Sequence, residues 1–420
     1  MKCLIKNADV FDGHSESLYP HAKIVILEDK VVEVTDQDVS EESFDTVIDA
    51  AGRTAIPGLI DCHVHMSISG IPKELDEMRI DEAAIRAAKN AEEMLYRGFT
   101  TVRDAGGMTY GVKRCIDNGY IDGPRIYPSI GAISQTSGHS DFRGTRAQEH
   151  TIWGHESPFM KTGAFVTADG VPEVLRAVRD QLFLGASQIK IMASGGIGSI
   201  YDPLMSVQFT FEEMKAAVDA ASDFGTYVFA HIYSPKAMRR AAEAGVKCFE
   251  HATLMDDEIS RIILDQGIWL CPQFAFHFDD VISTLTKNPE TNEKRLMVKG
   301  AAYRQAELIN KYGLRTVYGT DLVMDKYYNE VYQLTEFRAR KQVMGSLEAV
   351  RSATGNAHEL FKLTTIRDPY PQAKVGVLEA GSFADLLLID GDPTKDAEIL
   401  TDKNNMRLIM KGGRIYKNTL

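Results

Sequence analysis

The sequence has 420 residues, of which 44% are hydrophobic and 25% charged, and 47 Lys and Arg against 59 Asp and Glu give a formal net charge of −12. These values are typical of a folded globular protein and exclude a disordered, collagen-like or disulfide-stapled chain, while the length allows two or three domains or one large barrel with an accessory domain. The acidic balance argues against binding to nucleic acid, whose phosphates are held by clustered basic residues.

The two ends of the chain share a β-rich pattern. Near the start, the apolar runs 24–27 and 31–34 flank a turn-like Glu-Asp-Lys, and near the end the runs 384–391 and 408–416 again combine short apolar stretches with glycines. The two termini of one domain often lie close together. We therefore predict that residues 1–57 and 370–420 form one small β-sandwich domain.

The middle of the chain alternates apolar strand patterns with amphipathic helix patterns. The strand candidates are 59–66, 100–104, 125–130, 188–193, 227–231, 248–251, 269–272 and 316–321. The helix candidates are 80–97, 171–184, 210–224, 235–244, 256–266 and 296–312. Eight strands alternating with helices predict an α/β fold, a (β/α)8 TIM-type barrel over residues 58–369. A doubly wound sheet is the competing fold, and no G-x-G-x-x-G motif follows the first strand to favour it.

Two histidines stand at the end of the first barrel strand. His63 and His65 point to the same face because strand side chains alternate. Two imidazoles at the carboxyl end of a barrel strand can bind one metal ion, but an isolated H-x-H is equally compatible with solvated or packed histidines. Asp61 shares the parity of His63 and could orient a ligand imidazole or make an ordinary strand-end hydrogen bond.

The later strands add further chemistry-bearing residues. His231, His251 and Asp321 end the fifth, sixth and eighth strands, and Lys190 lies inside the apolar fourth strand. A bare ammonium is costly to bury, so Lys190 requires a chemical partner. Together with the paired histidines, these residues predict a metal-dependent active site.

This set of residues resembles the amidohydrolase superfamily in its binuclear metal-dependent branch, over nearly the whole chain. The resemblance implies that carbon dioxide carboxylates Lys190 and that the carbamate bridges two divalent metal ions, usually zinc. It implies these ligands as well: His63, His65 and Asp321 for one ion, and His231 and His251 for the other. A carbamate would remove the problem of a buried cation and supply two hard oxygen ligands.

Three motifs narrow the resemblance. IKIMASGG at 189–196, TTVRDAGG at 100–107 and SGHSD at 137–141 are similar to the Xaa-Pro dipeptidase, or prolidase-like, group, which includes carboxypeptidases for basic residues and relatives of ochratoxin-hydrolysing amidases. In that group a histidine after strand three stabilises the developing oxyanion, and a tyrosine two residues after the strand-five histidine contacts the α-carboxylate of the substrate. The matching residues are His139 and Tyr233.

Two features depart from the group. Ala252 follows His251 where many relatives have glycine, and the aromatic run QFAFHF at 273–278 follows strand seven. The resemblance assigns the pocket for the leaving residue to this loop. A preference for proline is therefore not carried over, and a bulky or aromatic leaving group is the hypothesis.

The resemblance implies a hydrolase that cleaves the amide bond of a dipeptide or N-acyl amino acid by a metal-bridging hydroxide. Asp321 would transfer the proton to the leaving amine, His139 would polarise the carbonyl and Tyr233 would anchor the carboxylate. A lactonase or phosphotriesterase could use the same metal set, because an activated hydroxide also attacks esters. A mononuclear deaminase would lack Lys190 and carry a glutamate in place of Ser234, and a catalytically inactive assembly scaffold would have lost ligands.

Cysteine usage and hydropathy indicate the compartment. The five cysteines are scattered without a C-x-x-C pair, the start has no long apolar segment, and no apolar run reaches the roughly 18 residues that span a bilayer. We expect a cytoplasmic homo-oligomer that acts on a small-molecule substrate, with neither a membrane nor a nucleic-acid partner.

Overall fold

The computed structural model describes residues 2–68, 78–107, 109–141, 162–278, 291–322 and 326–420, and the side chains of all of these except 326–330. Within those ranges no helix is both long and apolar enough to cross a membrane. The strands are β1 (Lys2–Val10), β2 (Tyr19–Leu27), β3 (Lys30–Thr35), β4 (Thr46–Asp49), β5 (Thr54–Pro57), β6 (Leu59–Val64), β7 (Phe99–Asp104), β8 (Arg125–Pro128), β9 (Ala132–Ser134), β10 (Phe165–Thr167), β11 (Ile189–Met192), β12 (Val228–Ile232), β13 (Cys248–His251), β14 (Trp269–Cys271), β15 (Leu386–Ile389), β16 (Met406–Lys411) and β17 (Arg414–Asn418). The α-helices are α1 (Ile80–Tyr96), α2 (Thr109–Asp117), α3 (Val171–Phe183), α4 (Phe211–Asp223), α5 (Pro235–Ala244), α6 (Asp257–Gln266), α7 (Ala275–Phe278), α8 (Asn292–Tyr312), α9 (Lys326–Met344), α10 (Ser346–Ser352) and α11 (Gly355–Phe361).

Strands from both ends of the chain form one eight-stranded sheet in the order β17-β16-β15-β5-β1-β2-β3, with β4 also paired to β1. The two ends meet where β15 runs antiparallel to β5, with Leu387 opposite Ile56. On one side β1 pairs with β4 along residues 3–6 and with β5 along residues 9–10, and register shifts against β2 give it the bulges that bend a strand. On one side, β1 thus pairs with two strands, and strands from both ends of the chain form a single hydrogen-bonded sheet of eight strands. That this sheet folds over into a sandwich stays a prediction. The domain boundaries at 57/58 and 369/370 stay predictions.

The middle of the chain forms two parallel sheets, one in the order β10-β9-β11-β12-β13-β14 and one in the order β6-β7-β8. Residues 316–322 connect them, because a parallel bridge joins Thr316 to Leu270 in β14 and another joins Leu322 to Val64 in β6. This part of the chain is therefore a mixed α/β structure in which the carboxyl ends of parallel strands lie together.

Seven of the eight predicted barrel strands are strands in the structure, with ends that differ by at most two residues, and all six predicted helices are present. The eighth segment forms only the isolated bridges, and Asp321 at its end has a φ of 55°, outside the β region. β9 and β10 are not among the predicted strands, because three residues are too few to show alternation.

The helices bury one apolar face. In α3 this face consists of Val174, Ala177, Val178 and Leu182, which recur at the spacing of a helix stripe. Burying a large aliphatic side chain of this kind contributes about 1.5–3 kcal/mol to stability. Because the helices pack on the parallel strands, the strand ends are the place where polar side chains can gather.

Candidate metal centre

Five side chains of metal-ligating type converge at the carboxyl ends of the parallel strands. His63 lies in β6 and His65 directly after it, His231 lies in β12, His251 ends β13, and Asp321 belongs to segment 316–322. The histidines are only 1–6% exposed, whereas 25% of the Asp321 side chain is exposed. Buried polar groups require partners, and here they are partners to one another.

The first three candidate ligands form a triangle. His63 Nε2, His65 Nε2 and Asp321 Oδ1 lie 3.3 Å from each other in every pair. Donor atoms placed about 2.0–2.1 Å from a tetrahedral zinc ion are about 3.3–3.4 Å apart, so the triangle has the dimensions of one metal site. The carbonyl oxygen of Gly106 lies 2.8 Å from His65 Nδ1 and fixes the ring with Nε2 facing the triangle. Burial lowers the pKa of His65, which keeps the ring neutral and its nitrogen lone pair available.

The other two histidines face each other. His231 Nδ1 lies 2.9 Å from His251 Nε2, and Gln273 Oε1 lies 2.6 Å from the other nitrogen of the His251 ring. Burial lowers the pKa of His251 to about 3, and burial and the neighbouring histidines hold the pKa of His231 well below its ordinary value. Both rings are neutral, and their facing nitrogens are a second pair of candidate ligands.

Lys190 lies against the triangle. Its Nζ is 3.3 Å from His63 Nε2 and 5.1 Å from the centre of the Phe229 ring, and the residue is 1% exposed. Burial lowers the pKa of the Lys190 ammonium, although nearby carboxylates oppose this effect. A lysine so placed is desolvated, and desolvation favours its neutral amine form relative to the ammonium.

Strained backbone carries two of these ligands. His251, Ala252 and Asp321 have φ values of 64°, 52° and 55°, in the left-handed region that costs a residue other than glycine about 1–3 kcal/mol. The amide of Asp321 donates to the carbonyl of His63 at 2.7 Å, and that of Ala252 to the carbonyl of Ile232 at 3.0 Å. The departure from glycine at position 252 therefore places alanine in a conformation that glycine adopts freely.

Two buried charges that the sequence analysis did not single out support His63. Glu250 Oε2 lies 2.6 Å from His63 Nδ1, and Arg103 Nη2 lies 2.7 Å from Glu250 Oε1. Both charged side chains are fully buried. Burial raises the pKa of Glu250, but Arg103 and His63 outweigh it and hold this pKa well below its usual range. The sequence signal that could have identified Glu250 and Arg103 is the same as for Lys190, namely a charged residue inside an apolar strand.

Asp61 accepts its hydrogen bonds from backbone and side-chain groups around the strand ends rather than from an imidazole ring. Its carboxylate accepts hydrogen bonds from the Thr320 hydroxyl at 2.6 Å, the Gln333 amide at 3.0 Å, and the backbone amides of His63 and Thr320 at 3.1 and 3.2 Å. Of the two roles considered for Asp61, the structure has the strand-end hydrogen bonds, which hold the backbone next to the ligand carboxylate.

The His139 ring stacks on His231, one of the second pair of candidate ligand histidines. Its ring is nearly parallel to that of His231, at an angle of 13° and a centroid distance of 4.1 Å. Its Nδ1 lies 2.7 Å from Ser199 Oγ and 3.3 Å from Asp202 Oδ2. Burial raises the pKa of Asp202, but hydrogen bonds from His139 and Ser199 lower it to about 2, so an ionised carboxylate stands beside the ring.

Tyr233 packs against His251, the other histidine of this pair. Its ring is parallel to that of His251 at 4.9 Å, and its amide donates to Ser194 Oγ at 2.8 Å. Burial and the charge of Asp321 raise the pKa of Tyr233 well above its ordinary value, which keeps the phenol protonated as a hydrogen-bond donor. The structure thus brings every predicted site residue to one place.

The fold and the donor set define a class of protein, an α/β protein with a candidate metal centre at the carboxyl ends of parallel strands. Residues 54–416 match the sequence model of the Amidohydrolase family, and the chain belongs to that family. Ochratoxinase from Aspergillus niger is 30% identical over 381 residues, which cover 86% of this chain and 75% of that protein. A solved prolidase complexed with N-methylphosphonate-L-proline has 34% identity and a TM-score of 0.90, and a solved Xaa-Pro dipeptidase with bound methionine has 29% identity and a TM-score of 0.85, each covering 100% of both chains.

These comparisons confirm the resemblance to the amidohydrolase superfamily and its prolidase-like group. The chain is a hydrolytic enzyme that acts on carbon–nitrogen bonds. The family generally binds divalent metal ions, and His63, His65 and Asp321 are a group that could hold one. Family membership also implies a TIM-like barrel with a small β domain. The roles of the individual site residues stay predictions.

Proposed function

We propose that the chain hydrolyses the amide bond of a dipeptide or an N-acyl amino acid at a centre of two divalent metal ions, with zinc as the preferred metal. His63, His65 and Asp321 would hold one ion and His231 and His251 the other. Carbon dioxide would convert Lys190 into a carbamate between them, and residues 58–369 would close into a (β/α)8 barrel around the site. The prolidase, Xaa-Pro dipeptidase and ochratoxinase relatives support an amide substrate.

The observation that carries this proposal is the triangle of 3.3 Å edges with the Lys190 amine at the same distance from one corner. Nitrogen and oxygen donors at this spacing fit a small divalent ion. Burying the Lys190 side chain next to them as an ammonium would carry a high desolvation cost, whereas a carbamate oxygen at that position would be a metal ligand.

Asp321 is the proposed proton carrier. When bound, the two ions lower the pKa of a water molecule and polarise the scissile carbonyl. Burial raises the pKa of Asp321, but His63 and His65 outweigh it and hold that pKa well below its usual range, so the carboxylate begins ionised. It accepts the proton of the attacking water and delivers it to the nitrogen of the leaving amine.

His139 and Tyr233 are the proposed substrate-binding groups. His139 donates to the carbonyl oxygen as negative charge develops there, and Asp202 beside Nδ1 orients the ring. The buried Tyr233 hydroxyl donates to the carboxylate of the substrate.

The side that receives the leaving residue is proposed to be aromatic. Phe276 packs 4.7 Å from the ring of Tyr332, and the Tyr332 hydroxyl donates to the carbonyl of Thr320 at 2.7 Å, directly before the proposed proton carrier. Aromatic surface favours a bulky or aromatic leaving residue over proline.

A substrate screen tests the proposal. Zinc-loaded protein is expected to hydrolyse members of a dipeptide and N-acyl amino-acid library, with a higher kcat/KM for Xaa-Phe than for Xaa-Pro. Protein stripped with a chelator should be inactive and should recover when zinc is added back, because the ions supply the nucleophile. The library includes an aryl ester, a lactone and a phosphotriester. Turnover of these alone would identify an esterase-type enzyme, and no turnover together with no bound zinc would identify a scaffold; either result contradicts the proposal.

The loop that contacts His139 offers a matched pair of variants. A methyl group on Gly196 would overlap the His139 ring, whereas one on Gly198 would meet nothing within 4 Å. Gly196→Ala is expected to lower kcat by about 10–100-fold, since displacing a catalytic group by about 1 Å can cost about 100-fold. Gly198→Ala should leave kcat within about twofold. Steady-state kinetics and Tm measure both variants, and an unchanged kcat in a folded Gly196→Ala protein would remove His139 from the mechanism.

A further inference from the structure

The candidate ligand histidines differ in what holds the ring nitrogen that faces away from the other ligands. For His65 it is the carbonyl oxygen of Gly106, and for His251 it is the amide oxygen of Gln273, both neutral acceptors. For His63 it is the Glu250 carboxylate, at 2.6 Å. Among the four candidate ligand histidines, a carboxylate partner at the ring nitrogen that faces away from the other ligands is found at His63.

We propose that Glu250 is the positioning residue of the metal centre, fixing His63 with its proton on Nδ1 and its lone pair on Nε2. The inference rests on the binuclear centre proposed above. A carboxylate accepts only, so at 2.6 Å the Nδ1 atom must donate, and Nε2 must then be the ligand nitrogen. That atom lies 3.3 Å from His65 Nε2, Asp321 Oδ1 and Lys190 Nζ.

His63 is the ligand for which such control has the greatest effect. Its Nε2 contacts both other corners of the triangle and also the amine that would carry the bridging carbamate. A negative partner at Nδ1 makes Nε2 a stronger donor than a neutral carbonyl would. Glu250 therefore strengthens the one ring shared by the triangle and the lysine.

Arg103 makes this arrangement possible inside the protein. Its guanidinium pairs with the second oxygen of Glu250 at 2.7 Å, donates from Nε to the carbonyl of Cys62 at 2.5 Å, and lies 4.1 Å from the centre of the Phe229 ring. A third hydrogen bond runs from Arg103 Nη1 to the hydroxyl of Tyr227 at 3.2 Å. An isolated buried carboxylate would take up a proton and lose its accepting role, and the paired cation prevents this.

The test compares metal affinity in folded variants. Glu250→Gln leaves Arg103 as an unpaired buried cation, so the double variant Arg103→Met/Glu250→Gln is made beside it to restore charge balance. Zinc affinity, measured by competition with a chromophoric chelator, is expected to fall about 10–100-fold in both variants, as for other partners of ligand histidines. The absorption spectrum of the cobalt-loaded protein should change as well, because the ligand field at His63 changes.

The matched control is Asp385→Asn. Asp385 forms another buried carboxylate–arginine pair, with Arg125 at 3.1 Å, and has no contact with the ligand histidines. This variant should lower Tm and leave zinc affinity and the cobalt spectrum unchanged. Zinc affinity within twofold of wild type in the folded double variant overturns the role of Glu250. Wild-type protein that binds no zinc instead overturns the proposed function, so the two failures are distinguishable.

If neither Glu250 variant folds, the position of the His63 proton is measured instead by nuclear magnetic resonance of wild-type protein labelled with 15N-histidine. A strongly downfield Nδ1 proton, assigned by its loss in His63→Asn, is the expected result. Detection of the His63 proton on Nε2 in the metal-free protein overturns the proposal.

Discussion

Lys190→Ala is expected to lower kcat/KM by at least about 10³-fold, the equivalent of the roughly 4 kcal/mol of charge stabilisation that a metal centre supplies. The physical reason lies in the position of Nζ, 3.3 Å from His63 Nε2 in a fully buried site. Without that atom the proposed carbamate cannot form, and the two sets of candidate ligands lose the anion proposed to lie between them. Added bicarbonate with a short carboxylic acid such as propionate should restore part of the turnover, because a small carboxylate can occupy the space left by the side chain.

Lys411→Ala is the control for this variant. Lys411 is also a largely buried lysine, with Nζ 2.6 Å from the carbonyl of Gly123, and burial lowers its pKa to about 8, but it lies in the terminal sheet. This substitution should lower Tm, keep kcat within about twofold, and show no response to propionate. Kinetics with and without the carboxylic acid are the measurement. A Lys190→Ala protein that is folded, contains two zinc ions and retains wild-type turnover would contradict the carbamate.

The sequence contained enough information to place most of the site. His63 and His65 could be paired because side chains alternate along a strand, and Lys190 stood out because an ammonium inside an apolar strand has a high desolvation cost. Both inferences use local rules that hold for any strand. The structure accordingly brings these three residues together, with His63 Nε2 3.3 Å from both His65 Nε2 and Lys190 Nζ.

Such local rules cannot predict which side chains from distant parts of the chain come into contact. Glu250 meets His63 across 187 positions, and Asp202, in the segment after β11, meets His139, in the segment after β9. Glu250 and His63 lie in two different parallel sheets, so their contact depends on how those sheets pack against each other, which the whole fold sets. Glu250 and Arg103 are as unusual inside apolar strands as Lys190, because a buried charge is costly, but this cost does not identify their partners.

The eighth predicted strand, at 316–321, shows a different limit on what local sequence patterns can predict. Its apolar run predicts a strand at 316–321, yet only its two ends form parallel bridges, to Leu270 and to Val64. Asp321 adopts a left-handed backbone conformation there, supported by hydrogen bonds from the backbone and side chain of Thr320 to Asp61. Strained conformations of this kind are concentrated at functional sites and contradict local propensity.

Asp321→Asn is the second substitution with a large expected effect, a loss of about 10²–10⁴-fold in kcat for an amide substrate. Asparagine has the size of aspartate and keeps an oxygen that can face His63 and His65, which lie 3.3 Å from Oδ1 in the wild-type protein. It cannot carry a proton to a leaving group. The variant should therefore retain bound zinc, as measured by elemental analysis, while losing turnover.

A comparison of two substrates separates the proton carrier from the metal ligand. An amide must have its leaving nitrogen protonated, whereas an activated aryl ester releases a leaving group that departs without a proton. If Asp321 delivers that proton, Asp321→Asn should lose at least about tenfold more activity on the amide than on the ester, because only the amide needs the second proton transfer. Equal losses on both substrates, with zinc content unchanged, would confine Asp321 to accepting the proton of the attacking water. Loss of zinc together with all activity would show that its charge is needed to hold the metal, because the neutral side chain supplies an oxygen without the charge that the buried ion requires.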